Sequence, residues 1–346
     1  MNRYAFESQA KATINAFVPP ALHYFGSAWG PSLKASLCVG ILVAAGALAP
    51  APSAAAPQNE LAGRWDLTLT TPQGELPSWI EVSEDQGKAK LVMVGVTDHA
   101  TPIQKFDIKG TEIEFVSPKY EEGFPNEMTF KGKLVDRQLE GTVTGTTGDS
   151  WSWKGVRAPS LNRKRLPKWR QSIELFNGKN LDGWHLLDKS KPGTWKVEDA
   201  QLISIGHGSD LATDAKFGDF KLHVEFKCSP SSNSGVYLRG RYEVQIENDS
   251  AAEPNSHHTG GVYGFLEPTP EQPRTTDVWQ TFDITLIGRK VTVMQNGVTI
   301  IDNREIPGIT GGAIDSHEEL PGPIYLQGGE EHQVTFRNIV ITPAKD

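Results

Sequence analysis

Along "FKLHVEFKCSP", Phe220, Leu222, Val224, Phe226 and Cys228 alternate with Lys221, His223, Glu225 and Lys227. A period of two over nine residues predicts a strand with one buried and one wetter face. The same rhythm fills "WQTFDITLIGRKVTVMQNGVTIID", which reads as strands reversing at Gly288-Arg289 and again at Asn296-Gly297. Asn-Gly is the signature of a two-residue primed turn, because both of its positions require positive φ. "PIYLQGGEEHQVTFRNIVITP" predicts two more strands near the C-terminus. Upstream, "GRWDLTLTTPQGELPSWIEVSED", "AKLVMVGV", "IQKFDIKGTEIEFVSP", "EMTFKGKLVDRQLEGTVTG" and "SWSWKGVRAP" alternate in the same way between short turns. That spacing is the signature of an antiparallel meander.

No long stretch carries a helical period, and no dinucleotide or phosphate-loop fingerprint is present. The pattern therefore predicts an all-β chain in parts. A small antiparallel barrel or sandwich is expected over 58–158, a linker over 159–171, and a two-sheet sandwich with long loops over 172–346. In the first part Trp151 and Trp153 stand two apart and share a face, where closing a small core is the expected task. The linker "PSLNRKRLPKWRQ" has proline near both ends, five basic residues and little periodicity, as expected of a solvated spacer.

Residues 1–57 follow different rules. Lys34 precedes the uncharged run "ASLCVGILVAAGALAP", and "APSAAAP" follows with the small residues that signal peptidase accepts. This predicts a secretory signal with an extended n-region and a periplasmic or extracellular product, with no membrane span left after cleavage. The net charge of −8 becomes −10 once Arg3, Lys11, Lys34 and Glu7 are removed. An acidic chain without a basic aromatic platform is not expected to bind nucleic acid. The remaining Cys228 cannot form an internal disulfide, and its place on an alternating apolar face predicts a buried, inert thiol.

One stretch stands apart. In "NSGVYLRGRYEVQIEND", Val236 and Leu238 oppose Tyr237 and Arg239 across the strand; after Gly240, Tyr242, Val244 and Ile246 oppose Glu243, Gln245 and Glu247. One face is a sandwich core, and the other collects Tyr, Arg, Glu and Gln. Alternation alone leaves that second face as either exposed surface with a cross-strand ion pair or the floor of a site.

"LFNGKNLDGWH", "GDFKLHVEFKCSPSSNSGVYLRG", "YEVQIEND", "TGGVYG", "DVWQTFDITLIGRKVTVMQNG", "GPIYLQGG" and "VTFRNIVI" occur in an order that resembles the 3-keto-disaccharide hydrolase family. The resemblance covers residues 172–343. It implies a concanavalin-like jelly roll and cleavage of glycosides whose sugar is already oxidised to a ketone at carbon 3.

The chemistry of such a substrate defines what a site must hold. A C3 ketone acidifies the hydrogen on C2, so a base can remove it and the enolate can expel the glycosidic oxygen from C1. Water then adds to the enone. A base near C2, donors on the C3 oxygen and an acid for the leaving oxygen are required. With the resemblance, Glu243 is the expected base, Arg239 the expected enolate partner, and Gln245 is placed for sugar hydroxyls. Of the adjacent pair His257 and His258 only one can face the site; His258 is the expected acid or metal ligand. Asn233, Tyr237, Tyr263 and Gln327 are the remaining expected sugar contacts, and His207 stands as a further loop candidate. No zinc or calcium ligand spacing is legible, so no metal residue is assigned, although a divalent ion is compatible with the loop acids and histidines. Many relatives in the resembled family carry His-Gly after "LQ", whereas this chain has "LQGGEEHQV", which puts in question whether His332 or Glu331 replaces that histidine.

Two other readings remain open at this level. A non-catalytic carbohydrate-binding module would use the same aromatics and amides. Hydrolysis of unoxidised glycosides by Glu243 and Glu247 ranks lower, because four residues of strand separate them by roughly 13 Å. That separation exceeds the spacing either stereochemical outcome uses.

Overall fold

The structure, a computed structural model, describes residues 60–97, 99–119, 126–247, 254–273, 275–329 and 332–345. The expected export signal and Glu331 lie outside them. The described chain is built from strands, with one 3-10 turn at Asn255–His257.

Nine strands come first: β1 (Gly63–Thr71), β2 (Gly74–Asp85), β3 (Lys88–Val94), β4 (Thr101–Pro102), β5 (Phe106–Lys109), β6 (Glu112–Ser117), β7 (Met128–Val135), β8 (Gln138–Gly145) and β9 (Ser150–Arg157). Their order in the sheet is β4-β3-β2-β1-β9-β8-β7-β6-β5. The two end strands, β4 and β5, are joined by only residues 103–105, a span of at most ~14 Å. Ile103 N–H donates to Leu91 O on β3 at 2.8 Å, and Lys105 O accepts from Val116 N–H on β6 at 3.0 Å. The sheet therefore curls until its ends meet, and of the two expected architectures it adopts the barrel. Trp65, Leu67, Leu69, Val82, Phe115, Phe130, Val143 and Trp153 fill its core, with Trp151 packed against them. Gly141 makes room for this packing: a Cβ there would lie 2.1 Å from Lys131 O and 2.7 Å from the Trp153 ring.

Thirteen strands follow: β10 (Ile173–Glu174), β11 (Trp184–Leu186), β12 (Trp195–Glu198), β13 (Gln201–Ser204), β14 (Leu211–Thr213), β15 (Phe220–Cys228), β16 (Asn233–Leu238), β17 (Tyr242–Glu247), β18 (Gln280–Ile287), β19 (Lys290–Gln295), β20 (Val298–Glu305), β21 (Tyr325–Leu326) and β22 (Val334–Pro343). They form an eight-stranded sheet, β12-β13-β22-β15-β18-β19-β20 with β10 also on β22, and a five-stranded sheet, β11-β14-β21-β16-β17. The chain passes repeatedly between the sheets, as in the expected concanavalin-like jelly roll. Val236, Leu238, Tyr242, Val244 and Ile246 from the smaller sheet meet Leu222, Val224, Phe226, Phe282, Ile284 and Phe336 from the larger one. Each such side chain, fully buried, contributes about 1.5–3 kcal/mol of transfer free energy. Asn296 and Gly297 both have positive φ, 50° and 79°, so the β19–β20 hairpin closes by the expected primed turn. Cys228 is buried, and that burial pushes its thiol pKa up.

Most of the linker, residues 162–166 among them, is exposed, and the run is tied to the sandwich at a few points. Leu161 is buried, Arg163 forms a two-pronged ion pair with buried Asp219 at 2.7 and 3.0 Å, and Arg170 N–H donates to Pro343 O at 2.8 Å. A buried carboxylate needs a cation, and Asp219 recruits one from this basic run.

Barrel and sandwich share an apolar junction. Trp79 and Val94 belong to the same buried cluster as the sandwich core, and Trp79 meets Phe265 edge-on at 5.6 Å. A Cβ at Gly308 would lie 2.3 Å from the Trp79 indole nitrogen. Polar contacts add register: Gly312 N–H donates to Val96 O at 2.9 Å, and Thr68 and Ser316 hydroxyls lie 2.6 Å apart. Beneath this junction sits a charged cluster. Glu318, fully buried, accepts from Arg289 at 2.8 Å and from the Tyr242 hydroxyl at 2.6 Å. Asp66 of β1 is buried beside it, and neither Asp66 oxygen has a donor. Burial first, and the negative Glu318 second, push the Asp66 pKa up to about 9. The protonated carboxyl is the form that can sit against Glu318.

Candidate functional site

Antiparallel register aligns side chains across the smaller sheet. His185 pairs with Ala212, Ala212 with Tyr325, Tyr325 with Tyr237, and Tyr237 with Glu243. Residues 260–263 extend the sheet beyond β17. Val244 bridges Val262, and Tyr263 N–H donates to Glu243 O at 3.1 Å. Paired residues share a face, so Tyr325, Tyr237, Glu243 and Tyr263 form one row on the side opposite the core. The next row holds Asp210, Gln327, Gly235 and Gln245, and the one after it pairs Asn233 with Glu247. The polar face of "NSGVYLRGRYEVQIEND" is thus a sheltered sheet surface. Tyr237, Glu243 and Gln245 are buried floor, whereas Asn233, Glu247, Tyr263, Gln327 and Asp210 are half-buried around it.

Glu243 is held closely. Its Oε2 lies 2.8 Å from the Tyr237 hydroxyl, and its backbone N–H donates to Thr310 Oγ1 at 3.0 Å. The carboxyl lies over Gly235, where a Cβ would come within 2.2 Å of Oε1. Tyr237 stacks on Tyr325 at 3.8 Å between ring centroids. Burial pushes both phenol pKa values well above their ordinary range, and the Glu243 charge adds to the effect. Both hydroxyls therefore keep their protons. The Tyr237 hydroxyl also lies 2.9 Å from Gly311 O, and the Tyr325 hydroxyl donates to Gly312 O at 2.6 Å.

The expected sugar contacts are all on this face. Gln245 Nε2 donates to Glu247 at 3.2 Å. Asn233 Oδ1 and Gln327 Oε1 are buried and have no donor within the protein. Gln327 is anchored by its own N–H on Gly235 O at 3.0 Å. Two acceptor oxygens left without donors in adjoining rows fit a ligand rich in hydroxyls.

Two expectations are corrected. Arg239 does not face Glu243. The strand ends at Leu238, Arg239 takes φ 53°, and its guanidinium turns to the core side. There it donates to the Tyr242 hydroxyl at 3.0 Å and Gly288 O at 2.9 Å. Strict alternation failed because the positive-φ turn begins one residue before Gly240. Between the histidines, His258 turns to Glu271, with Nδ1 2.9 Å from its carboxylate. His257 is the one that packs on Tyr263, at 4.4 Å between ring centroids. Arg241 lies in the turn, and its guanidinium pairs with Asp315 at 2.6 Å.

The sequence reading missed Asp210, Gly235, Tyr325 and His257 as members of this surface. Gly328 N–H donates to Asp210 Oδ1 at 2.9 Å. His332 is exposed, as is His207. Among the described residues no three His, Cys, Asp or Glu side chains are placed to share a metal ion. An open concavity of about 390 Å³ lies on the barrel wall near Lys109, Glu114 and Lys131. Two of its lysines are paired, Lys109 with Asp107 and Lys131 with Glu114.

Comparison with known proteins gives a family and several relatives. Residues 171–342 match the family described as the 3-keto-alpha-glucoside-1,2-lyase-like domain. A 3-keto-disaccharide hydrolase of Bacteroides thetaiotaomicron is 22% identical over 242 residues, covering 54% of this chain and 83% of that protein. Two solved structures from Parabacteroides distasonis, both assigned as glycosyl hydrolases, are also similar. One is 30% identical with a TM-score of 0.42 over 49% of this chain and 82% of its own. The other is 20% identical with a TM-score of 0.41 over 51% and 94%. The sandwich of this chain is a member of the 3-keto-alpha-glucoside-1,2-lyase-like family.

Proposed function

We propose that this chain is an exported enzyme that cleaves 3-keto-glycosides, including 3-keto-disaccharides, by removing the C2 proton, eliminating the C1 substituent and hydrating the product. The observation that carries this reading is the double partnership of the Tyr237 hydroxyl with Glu243 and Gly311 O. One hydroxyl hydrogen cannot serve both acceptors. A Glu243 carboxylate takes it; a protonated Glu243 donates its own hydrogen and leaves the tyrosine hydrogen to Gly311. The floor accommodates Glu243 in either protonation state, as a residue that takes up and returns a proton requires.

In the forward step Glu243 removes the hydrogen on C2, the C2–H electrons move into the C3 carbonyl, and the enolate then breaks the C1–O bond. Tyr263, in the same row, and His257, packed on it, supply the donors for the C3 oxygen and the leaving oxygen. These roles pass from Arg239 and His258, which face elsewhere. Water adding to C1, with return of the proton to C2, completes net hydrolysis; release before that step makes the enzyme a lyase. Asn233, Gln245 and Gln327 bind hydroxyls. Export follows from the N-terminal pattern, and among the described residues no helix is long and apolar enough to cross a membrane.

The test compares a 3-keto-glucoside with its unoxidised parent, following aglycone release. Cleavage of the ketone alone, lost in Glu243→Gln, is the expected result. Binding of both without turnover of either contradicts the reading and leaves a sugar-binding module.

A further inference from the structure

The barrel brings His99 to the edge of this surface. The chain around it is clamped to the sandwich on both sides. Val96 O accepts from Gly312 N–H at 2.9 Å, and Ala100 packs against the sandwich core. Between them the His99 ring meets His257 at 4.7 Å and Tyr263 at 6.4 Å between centroids, both edge-on. The contact is close enough to demand a glycine opposite. Gly264 has φ 70°, and a Cβ there would lie 2.6 Å from His99 Cβ. His257 is buried, while His99 and Tyr263 are half-buried. His99 therefore packs on His257 and Tyr263, and Tyr263 is the residue that stands beside Glu243 in the row.

We propose that the barrel completes the sugar site of the sandwich: His99 fixes the His257–Tyr263 wall and presents an imidazole nitrogen to the bound sugar. This rests on the reading of the sheet face as a sugar-cleaving site. A half-buried imidazole can donate to or accept from a hydroxyl, and its edge contacts keep its neighbours in one orientation. The matched family covers residues 171–342 only, so the contribution comes from outside that domain. It gives the barrel a part in ligand recognition, beyond shielding the core.

The test uses the full chain with His99→Ala, His99→Phe and His99→Gln, and with His223→Ala on the far sheet as a control. The expected result is a loss of about tenfold or more in kcat/KM on a 3-keto-glucoside for His99→Ala and His99→Phe. Melting temperature stays near that of the parent, and His99→Gln restores part of the loss. Full rescue by phenylalanine shows a packing role alone and overturns the proposal, as does unchanged kcat/KM in His99→Ala. If the parent protein cleaves no 3-keto-glucoside, the functional reading fails separately. His99 is then judged by its imidazole NMR signals during titration with glucoside and 3-keto-glucoside. A shift on titration, with weaker binding by His99→Ala, upholds the proposal; no shift overturns it.

Discussion

Glu243 and Gly235 show how much of this site depends on single atoms. The Glu243 carboxyl rests on a strand position without a side chain, since a Cβ at residue 235 would lie 2.2 Å from Oε1 and 2.8 Å from Cγ. Gly235→Ala leaves the β16 ladder able to form but pushes the carboxyl off the Tyr237 hydroxyl. Displacement of a reacting group by about 1 Å costs on the order of 10²-fold in rate. Gly235→Ala is expected to lower kcat by about that factor while changing KM less, measured by steady-state kinetics on a 3-keto-glucoside. Retention of full activity shows that Glu243 does not need this seat. Glu243 and Gln245 were legible on one polar face because strand period alone assigns them there. Arg239 was not, because side-chain direction follows the backbone, and positive φ at residue 239 ends the alternation.

At the scale of elements, the long alternating strands were the most legible. β15, β18 and β19 bury the residues their period selects, and Asn296-Gly297 turns as its composition requires. What the alternation left undecided was closure of the first sheet. Closure depends on which strands lie at the edges, and the three-residue link between β4 and β5 decides it. The barrel core sets a further requirement, because β7 and β8 approach closely enough over Trp153 that Gly141 has no room for a side chain. A Cβ there meets the Lys131 carbonyl at 2.1 Å, and backbone cannot yield as a rotamer does. Gly141→Ala is expected to destabilise the protein by about 1–3 kcal/mol. Denaturant unfolding followed by tryptophan fluorescence reads it, and an unchanged midpoint contradicts this account of the barrel core.

Across the whole molecule, the junction of barrel and sandwich was not legible at all. Asp66 and Glu318, His99 and His257, and Trp79 and Phe265 are each separated by more than a hundred residues, and no local pattern encodes such pairs. Asp66 gives the junction a pH dependence. Its folded pKa stands near 9 and its unfolded value near 3.8. Folded protein therefore binds more protons than unfolded protein between those limits. The contribution is fully present below about pH 3.8, declines as pH rises through the window, and is gone above about 9. The slope from this one group approaches about 1.4 kcal/mol per pH unit. Asp66→Asn keeps a donor for Glu318 and removes the titration. The variant is expected to gain stability over the parent progressively from pH 5 to pH 9, read by thermal unfolding; parallel pH profiles contradict the buried pair.

The central claim is that Glu243 exchanges a proton with C2 of an oxidised sugar on the sheltered sheet face. Incubation of a 3-keto-glucoside with the protein in deuterated water, monitored by NMR at C2, tests it most directly. The account predicts deuterium at C2 in recovered substrate or product with the parent protein, and exchange at the uncatalysed rate with Glu243→Gln. Aglycone release without deuterium at C2, or exchange undiminished in Glu243→Gln, contradicts it.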